Sequence, residues 1–233
     1  MKPRDLAREA ARHLEAAGSP LRAKGAQAYM KTSDAFFGVD ATTMRRIVKG
    51  LAKDHPPKTQ DEYLAQIVAF WSLPQREAHY AAVEWAKLFP AFQTLEALPL
   101  FERMIREGAW WDTVDELARF LVGTLLLNER AVLKPVMERW IRDESLWIRR
   151  AALVAHQKHR DRTDEAQLFD HCLRLAHEKD FFIRKAIGWA LREHSKTWPA
   201  AVASFIAAHR GELSGLSVRE GMKRIIVPYR VPH

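Results

Sequence analysis

The sequence predicts an all-α protein, built as a solenoid of stacked helical hairpins, and three observations predict it. Apolar residues recur with helical period along almost the whole chain, while alternating strand patterns are nearly absent. Breakers rich in Pro, Gly, Ser and Asp divide that pattern into ten or more short segments. A motif then returns: Trp147-Ile-Arg-Arg-Ala-Ala matches Phe182-Ile-Arg-Lys-Ala-Ile at an offset of 35, and the same offset carries Ile183-Arg184 onto Val218-Arg219. Stepping backwards, Trp147 falls on Trp111 at 36, and Trp111 on Pro74 at 37. Each unit is a helix pair whose second helix opens with the motif. Stacked pairs of this length form a HEAT-like α-solenoid, curved and expected to carry a basic concave face.

Taken in order, Leu6, Ala10, Ala11 and Leu14 form the first amphipathic stripe, ended by Ala-Gly-Ser-Pro at 17–20. A helix over 21–31 carries Tyr29, and 32–40 is a turn-rich connection. Thr42 or Thr43 is the expected N-cap of the next helix. Beyond His55-Pro-Pro57, segments 60–72 and 75–88 form a pair split by Pro74. Further helices are predicted at 97–107, 111–127, 130–142, 146–159, 164–177, 181–195, 199–209 and 217–225, with an irregular tail over 227–233. The whole of 1–233 is expected to be one repeat domain.

Composition limits the function classes. The single cysteine, Cys172, excludes internal disulfides and a cysteine-rich metal site, and it lies on a core stripe with Leu168 and Leu175. His156 and His159 are one turn apart but lack partners at metal-site spacing, so neither metal nor cofactor is expected. There is no glycine-rich phosphate loop, no dinucleotide fingerprint and no nucleophile elbow. The N-terminus has no apolar signal core, and no apolar run approaches the ~20 residues that span a bilayer, so no membrane partner and a cytoplasmic location are expected. A net charge of +8 favours an anionic partner, nucleic acid first. That charge is uneven: net +6 over 1–53, −5 over 54–138 and +7 over 139–233.

The acidic middle contains Trp110-Trp111-Asp112-Thr113-Val114-Asp115, where two indoles share a short helix with two carboxylates. Trp111 and Asp115 are four apart and lie on one helical face, a combination suited to a planar cation. The competing interpretation makes both tryptophans core and Asp112 a helix-start residue. The repeat bears on Asp115, because the next two units place Ala151 and Ala186 at its position. A carboxylate replacing a small packing residue needs something that uses its charge.

Phe182, Lys185, Trp189 and Arg192 line one stripe of a helix at spacings of three, four and three. Arg150 aligns with Lys185 one unit earlier, on the face of Trp147. Alternating cations and aromatics fit a DNA backbone and its sugars or bases, whereas a solvated basic face is the plainer alternative.

Five stretches together resemble the bacterial DNA alkylation repair family of HEAT-like alkylpurine DNA glycosylases (AlkD type). They are Ala28-Tyr29-Met30-Lys31, Trp71-x-Leu-Pro-x-Arg-Glu77, Trp110-Trp111-Asp-x-Val-Asp115, Trp147-x-x-Arg-Ala-Ala152 and Phe181-Phe182-Ile-x-Lys-Ala-Ile-Gly-Trp-x-Leu-Arg192. The resemblance implies hydrolysis of the N-glycosidic bond of cationic N3- and N7-alkylated purines (3-methyladenine, 7-methylguanine) in duplex DNA, without base flipping. It implies Asp115 as the catalytic carboxylate, with Trp111 and Trp189 as the aromatic pair lining the cleft. It places Arg150 near the lesion's phosphate, and Tyr29, Phe181, Phe182, Lys185 and Arg192 at other DNA-facing positions. Trp147 and Arg149 complete the expected DNA-binding set, although sequence does not say whether Arg149 faces DNA or solvent. The implied protein is a monomer whose partner is double-stranded DNA containing alkylated purines. Non-catalytic binding of damaged or branched DNA, and a protein-interaction scaffold, are the alternatives.

Overall fold

The structure is a computed structural model, and residues 1–225 are described; the expected irregular tail at 227–233 lies outside the described residues. The described residues are helical apart from their turns and one isolated β-bridge, Ala35 to Gln75. None of their helices is long and apolar enough to cross a membrane. Contacts divide the chain into two compact units, Met1–Gly108 and the part from Ala109 onward.

The first unit contains α1 (Pro3–Ala17), α2 (Pro20–Met30), α3 (Ala41–Asp54), α4 (Gln60–Trp71), α5 (Arg76–Leu88) and α6 (Leu98–Gly108). Two short 3-10 turns, Pro90–Phe92 and Leu95–Ala97, precede α6. Proline opens α1 and α2, where its missing N–H costs nothing. The N-cap of α3 is Asp40 rather than Thr42 or Thr43. Its carboxylate accepts from the Thr43 amide at 2.9 Å and the Thr43 hydroxyl at 2.9 Å, so Thr43 is the donor in the cap.

The turn-rich segment 32–40 is held from inside. The buried Glu77 accepts from the amides of Phe37 (2.9 Å), Gly38 (2.8 Å) and Val39 (3.2 Å), and Arg76 donates to Asp34 at 2.6 Å. Gly38 has φ +79°, and a side chain there would collide with the Ser19 carbonyl. The Arg76-Glu77 pair of the sequence motif therefore fixes a loop. Trp85 is fully buried, and the buried Trp71 stacks on His79 at 4.3 Å and donates to Glu107 at 2.7 Å.

The second unit contains α7 (Trp111–Glu116), α8 (Gly123–Asn128), α9 (Arg130–Trp140), α10 (Leu146–Val154), α11 (Glu165–Arg174), α12 (Phe181–His194), α13 (Pro199–Ala208) and α14 (Gly215–Met222). Successive motif-bearing helices pack on one another, α7 on α10, α10 on α12 and α12 on α14. The intervening helices pack beside them, α9 and α11 on α10, and α13 on α12 and α14. This is the repeat, realised as layers of helix pairs. The fit between α12 and α14 depends on Gly188, where an added Cβ would come within 2.4 Å of the Glu220 Cβ.

Two departures from the expected helices matter for the site. The predicted 111–127 helix is interrupted by a π-helical stretch, Leu117–Val122, which starts two residues after Asp115. The predicted 146–159 helix stops at Val154, and the chain turns so that the His159 ring meets the Gly123 carbonyl at 2.8 Å. Periodicity alone reports neither, because a π turn adds only one residue and the turn is set by that tertiary bond.

Candidate active site

The two adjacent indoles part company at the start of α7. Trp110 is the N-cap residue with extended backbone (φ −151°, ψ 150°), whereas Trp111 is the first helical residue. Trp110 joins Trp147 and Phe182 in an aromatic triangle, with ring centroids 5.6, 5.3 and 5.0 Å apart. Trp147 is only 8% exposed, so this predicted DNA contact is a packing residue that buttresses the first turns of α10 and α12. Phe182 is half-buried in the same triangle, while Phe181 lies against it edge-on and is exposed.

Asp115 is 8% exposed and Arg150 is 1% exposed. Arg150 Nε donates to Asp115 Oδ1 and Nη2 to Oδ2, both at 2.7 Å, giving a two-pronged ion pair between α10 and α7. The third prong, Nη1, donates to the Phe182 carbonyl at 2.5 Å. Burial pushes the Asp115 carboxyl up, opposed by the hydrogen bonds and charge of Arg150 and by the charge of Arg119. The charge of Asp115 thus has a user inside the protein. Sequence comparison of the repeats found the anomaly at Asp115 but not its partner. The expected phosphate contact of Arg150 is not presented at the surface, because its guanidinium is spent on Asp115 and Phe182.

Trp189 lies beside this pair with three cations around its ring: Arg150 at 5.3 Å, Lys185 at 5.3 Å and Arg192 at 5.9 Å from the centroid. The structure thereby brings Asp115, Arg150, Phe182, Lys185, Trp189 and Arg192 together. Trp111 precedes Asp115 by one helical turn and is half-buried. Tyr29 ends α2 in the first unit and is 74% exposed.

Glu220, missed by sequence reasoning, organises the cations. It is buried on α14 and accepts from Lys185 (2.9 Å), Arg192 (3.0 Å) and Lys223 (2.7 Å). Burial works to raise its carboxyl, but the hydrogen bonds and charges of Lys223 and Lys185 hold it down to about 2. A signal existed: the 35-residue offset that carries Arg150 onto Lys185 carries Lys185 onto Glu220, reversing the sign. Arg149 is likewise accounted for. It donates to both Glu178 oxygens (2.7 and 3.0 Å) and to the carbonyls of Asp143 and Glu144, bracing the loop before α10.

Among the described residues, Glu138, Asp170 and His171 form the one cluster with metal-ligand spacing. Arg174 contacts Asp170 at 2.6 Å and Glu138 at 3.6 Å, occupying the cation's role there. Cys172 is fully buried, which pushes its thiol up and leaves it a packing residue.

The profile of the family described as "DNA alkylation repair enzyme" matches residues 10–225. The chain belongs to the DNA alkylation repair enzyme family. A solved structure described as a predicted DNA alkylation repair enzyme from Enterococcus faecalis is similar in fold, with a TM-score of 0.81 and 30% identity. The match covers 89% of this chain and 96% of that one. No curated protein matches the chain. Family membership assigns a role in DNA repair and DNA as the partner. The helical-repeat fold is that of the family.

Proposed function

We propose that this protein is a DNA glycosylase that hydrolyses the N-glycosidic bond of cationic N3- and N7-alkylated purines in duplex DNA. It acts without swinging the base into a pocket, as a monomer in the bacterial cytoplasm. One observation carries the proposal: the buried carboxylate of Asp115 holds a planar cation, the Arg150 guanidinium, beside the Trp189 ring. A carboxylate, an indole and flanking cations for phosphates make up the chemistry that recognises a cationic nucleotide.

The reaction follows from charge. An alkylated purine is already cationic, so it leaves with the bonding electron pair and needs no general acid. As the C1′–N bond breaks, positive charge grows on the deoxyribose. Asp115 stabilises that charge and accepts a proton from the water whose oxygen bonds C1′. A carboxylate oxygen has two lone pairs, and Arg150 takes one on each, so each Asp115 oxygen retains acceptor capacity. Arg150 fixes the orientation of the carboxylate, while Trp111 and Trp189 pack against the sugar. Lys185 and Arg192, set by Glu220, meet the backbone.

The test is release of 7-methylguanine and 3-methyladenine from methylated duplex DNA by wild type and by Asp115→Asn, both checked for folding. Release should fall by about 10²–10³ while duplex binding persists. Undiminished release would overturn the assignment of Asp115. A second reading, binding of damaged or branched DNA without catalysis, is favoured by the internal use of Asp115 in the Arg150 pair. Base release by wild type decides between the two.

A further inference from the structure

A separate polar cavity, sharing no lining residue with the site above, lies in the second unit at the C-terminal ends of α10 and α12. Its volume is about 350 Å³, and its walls include His156, Lys158, Arg160, Thr163, His194 and Lys196. Lys158, Arg160 and Lys196 line it from the α10–α11 connection and the end of α12, with Lys158 Nζ 5.4 Å from the Phe120 ring centroid. The lining acid, Glu193, is paired with Lys196.

Two further observations set this cavity apart from a solvated basic edge. His156 is 3% exposed, yet neither ring nitrogen has a hydrogen-bond partner; His194 Nδ1 has none either, while its Nε2 meets Glu165 at 2.7 Å. A buried imidazole with both nitrogens unpaired is costly unless a ligand or solvent meets it. Arg160 has φ +54°, a left-handed conformation unusual for a side chain of this kind. Such strain collects at ligand sites. The Thr163 hydroxyl donates to the Arg160 carbonyl at 2.8 Å and helps hold that turn. Helix C-termini attract cations without any ligand, which accounts for Lys158 and Lys196 but not for the unpaired imidazole or the turn at Arg160.

We infer that this cavity is a phosphate-binding site, in which His156, Lys158, Arg160 and Lys196 receive the oxygens of a phosphate group. Several convergent N–H donors around one tetrahedral anion are what phosphate requires. The phosphate belongs either to a small monoester or to a DNA strand, and these share the same recognition chemistry. The site is independent of the proposed glycosylase reaction.

The test uses the whole protein and inorganic phosphate, at ionic strength held constant with chloride. Binding is followed by calorimetry and by the His156 imidazole nitrogen resonances. Saturable binding of one phosphate per chain, with a shift at His156, is expected. Arg160→Gly removes the cation while suiting the left-handed backbone, so the fold is retained. Together with Lys196→Gln it should weaken binding about tenfold or more. Unmodified duplex is titrated in parallel. A shift at His156 that phosphate competes away identifies a DNA strand as the source; a shift with phosphate or a phosphomonoester alone identifies a small molecule. Absence of any saturable shift, or unchanged affinity in the double variant, overturns the inference.

Discussion

Arg150 grips both oxygens of Asp115 at 2.7 Å across 35 residues of sequence, and both side chains are buried. The residue proposed for chemistry is therefore also part of the joint between α7 and α10. Removing one member strands the other charge in a poorly solvated place. Arg150→Ala or Asp115→Ala should each cost about 3–5 kcal/mol, while the double variant should cost less than the sum. Denaturant unfolding in a double-mutant cycle measures this. Additive losses would show that the pair is not coupled.

Trp147 and Trp189 take contrasting places in the structure, one inside the aromatic triangle and the other among three cations. Trp147→Ala removes a wall of the aromatic triangle and should destabilise by about 3–5 kcal/mol, with base release per folded molecule largely kept. Trp189→Leu should leave stability nearer to wild type and slow release about tenfold. Thermal unfolding combined with release assays separates the two effects. The reverse pattern would exchange their assigned roles.

Duplex binding should weaken with salt, with a log–log slope near −0.9 per phosphate contact. Arg192→Gln and Lys185→Gln should flatten it, whereas Arg149→Gln should not, because Glu178 neutralises Arg149 one to one while Glu220 is shared by Lys185, Arg192 and Lys223 and leaves them a net positive charge. Fluorescence anisotropy over a salt series reads the slopes. A salt-independent interaction would favour the scaffold alternative.

Stability should fall in two acid steps. Burial holds His156 well below the ordinary imidazole value of 6.5, so the unfolded chain binds its proton first and stability drops as pH falls below 6.5. His159 and His171 act in the same direction. Glu220, held to about 2 against an ordinary 4.5, contributes stability above 4.5 that is lost as pH falls from there towards 2. Glu84, Glu138 and Asp164 are also held below the ordinary carboxylate range, so Glu220→Gln should shrink the second step and leave the first. Melting temperatures across this range provide the check.

Most helices, the repeat offset and the grouping of Phe182, Lys185, Trp189 and Arg192 on one stripe were legible in the sequence, because each rests on short-range regularity. A helical stripe is written in consecutive residues, and one structural unit repeated at 35–37 residues leaves a visible copy of itself. Asp115 stood out against Ala151 and Ala186 for that reason.

Tertiary structure alone decided which partner each side chain took. Trp110 rather than Trp111 entered the triangle with Trp147 and Phe182, because the extended N-cap turns one indole away from the other. Arg150 turned to Asp115, Arg149 to Glu178, and Lys185 with Arg192 to Glu220. The last meeting depends on Gly188 letting α14 come close. Charge patterns reveal which residues are ionic, but the distance between neighbouring helices determines which ions pair. Helical periodicity does not encode that distance; packing does.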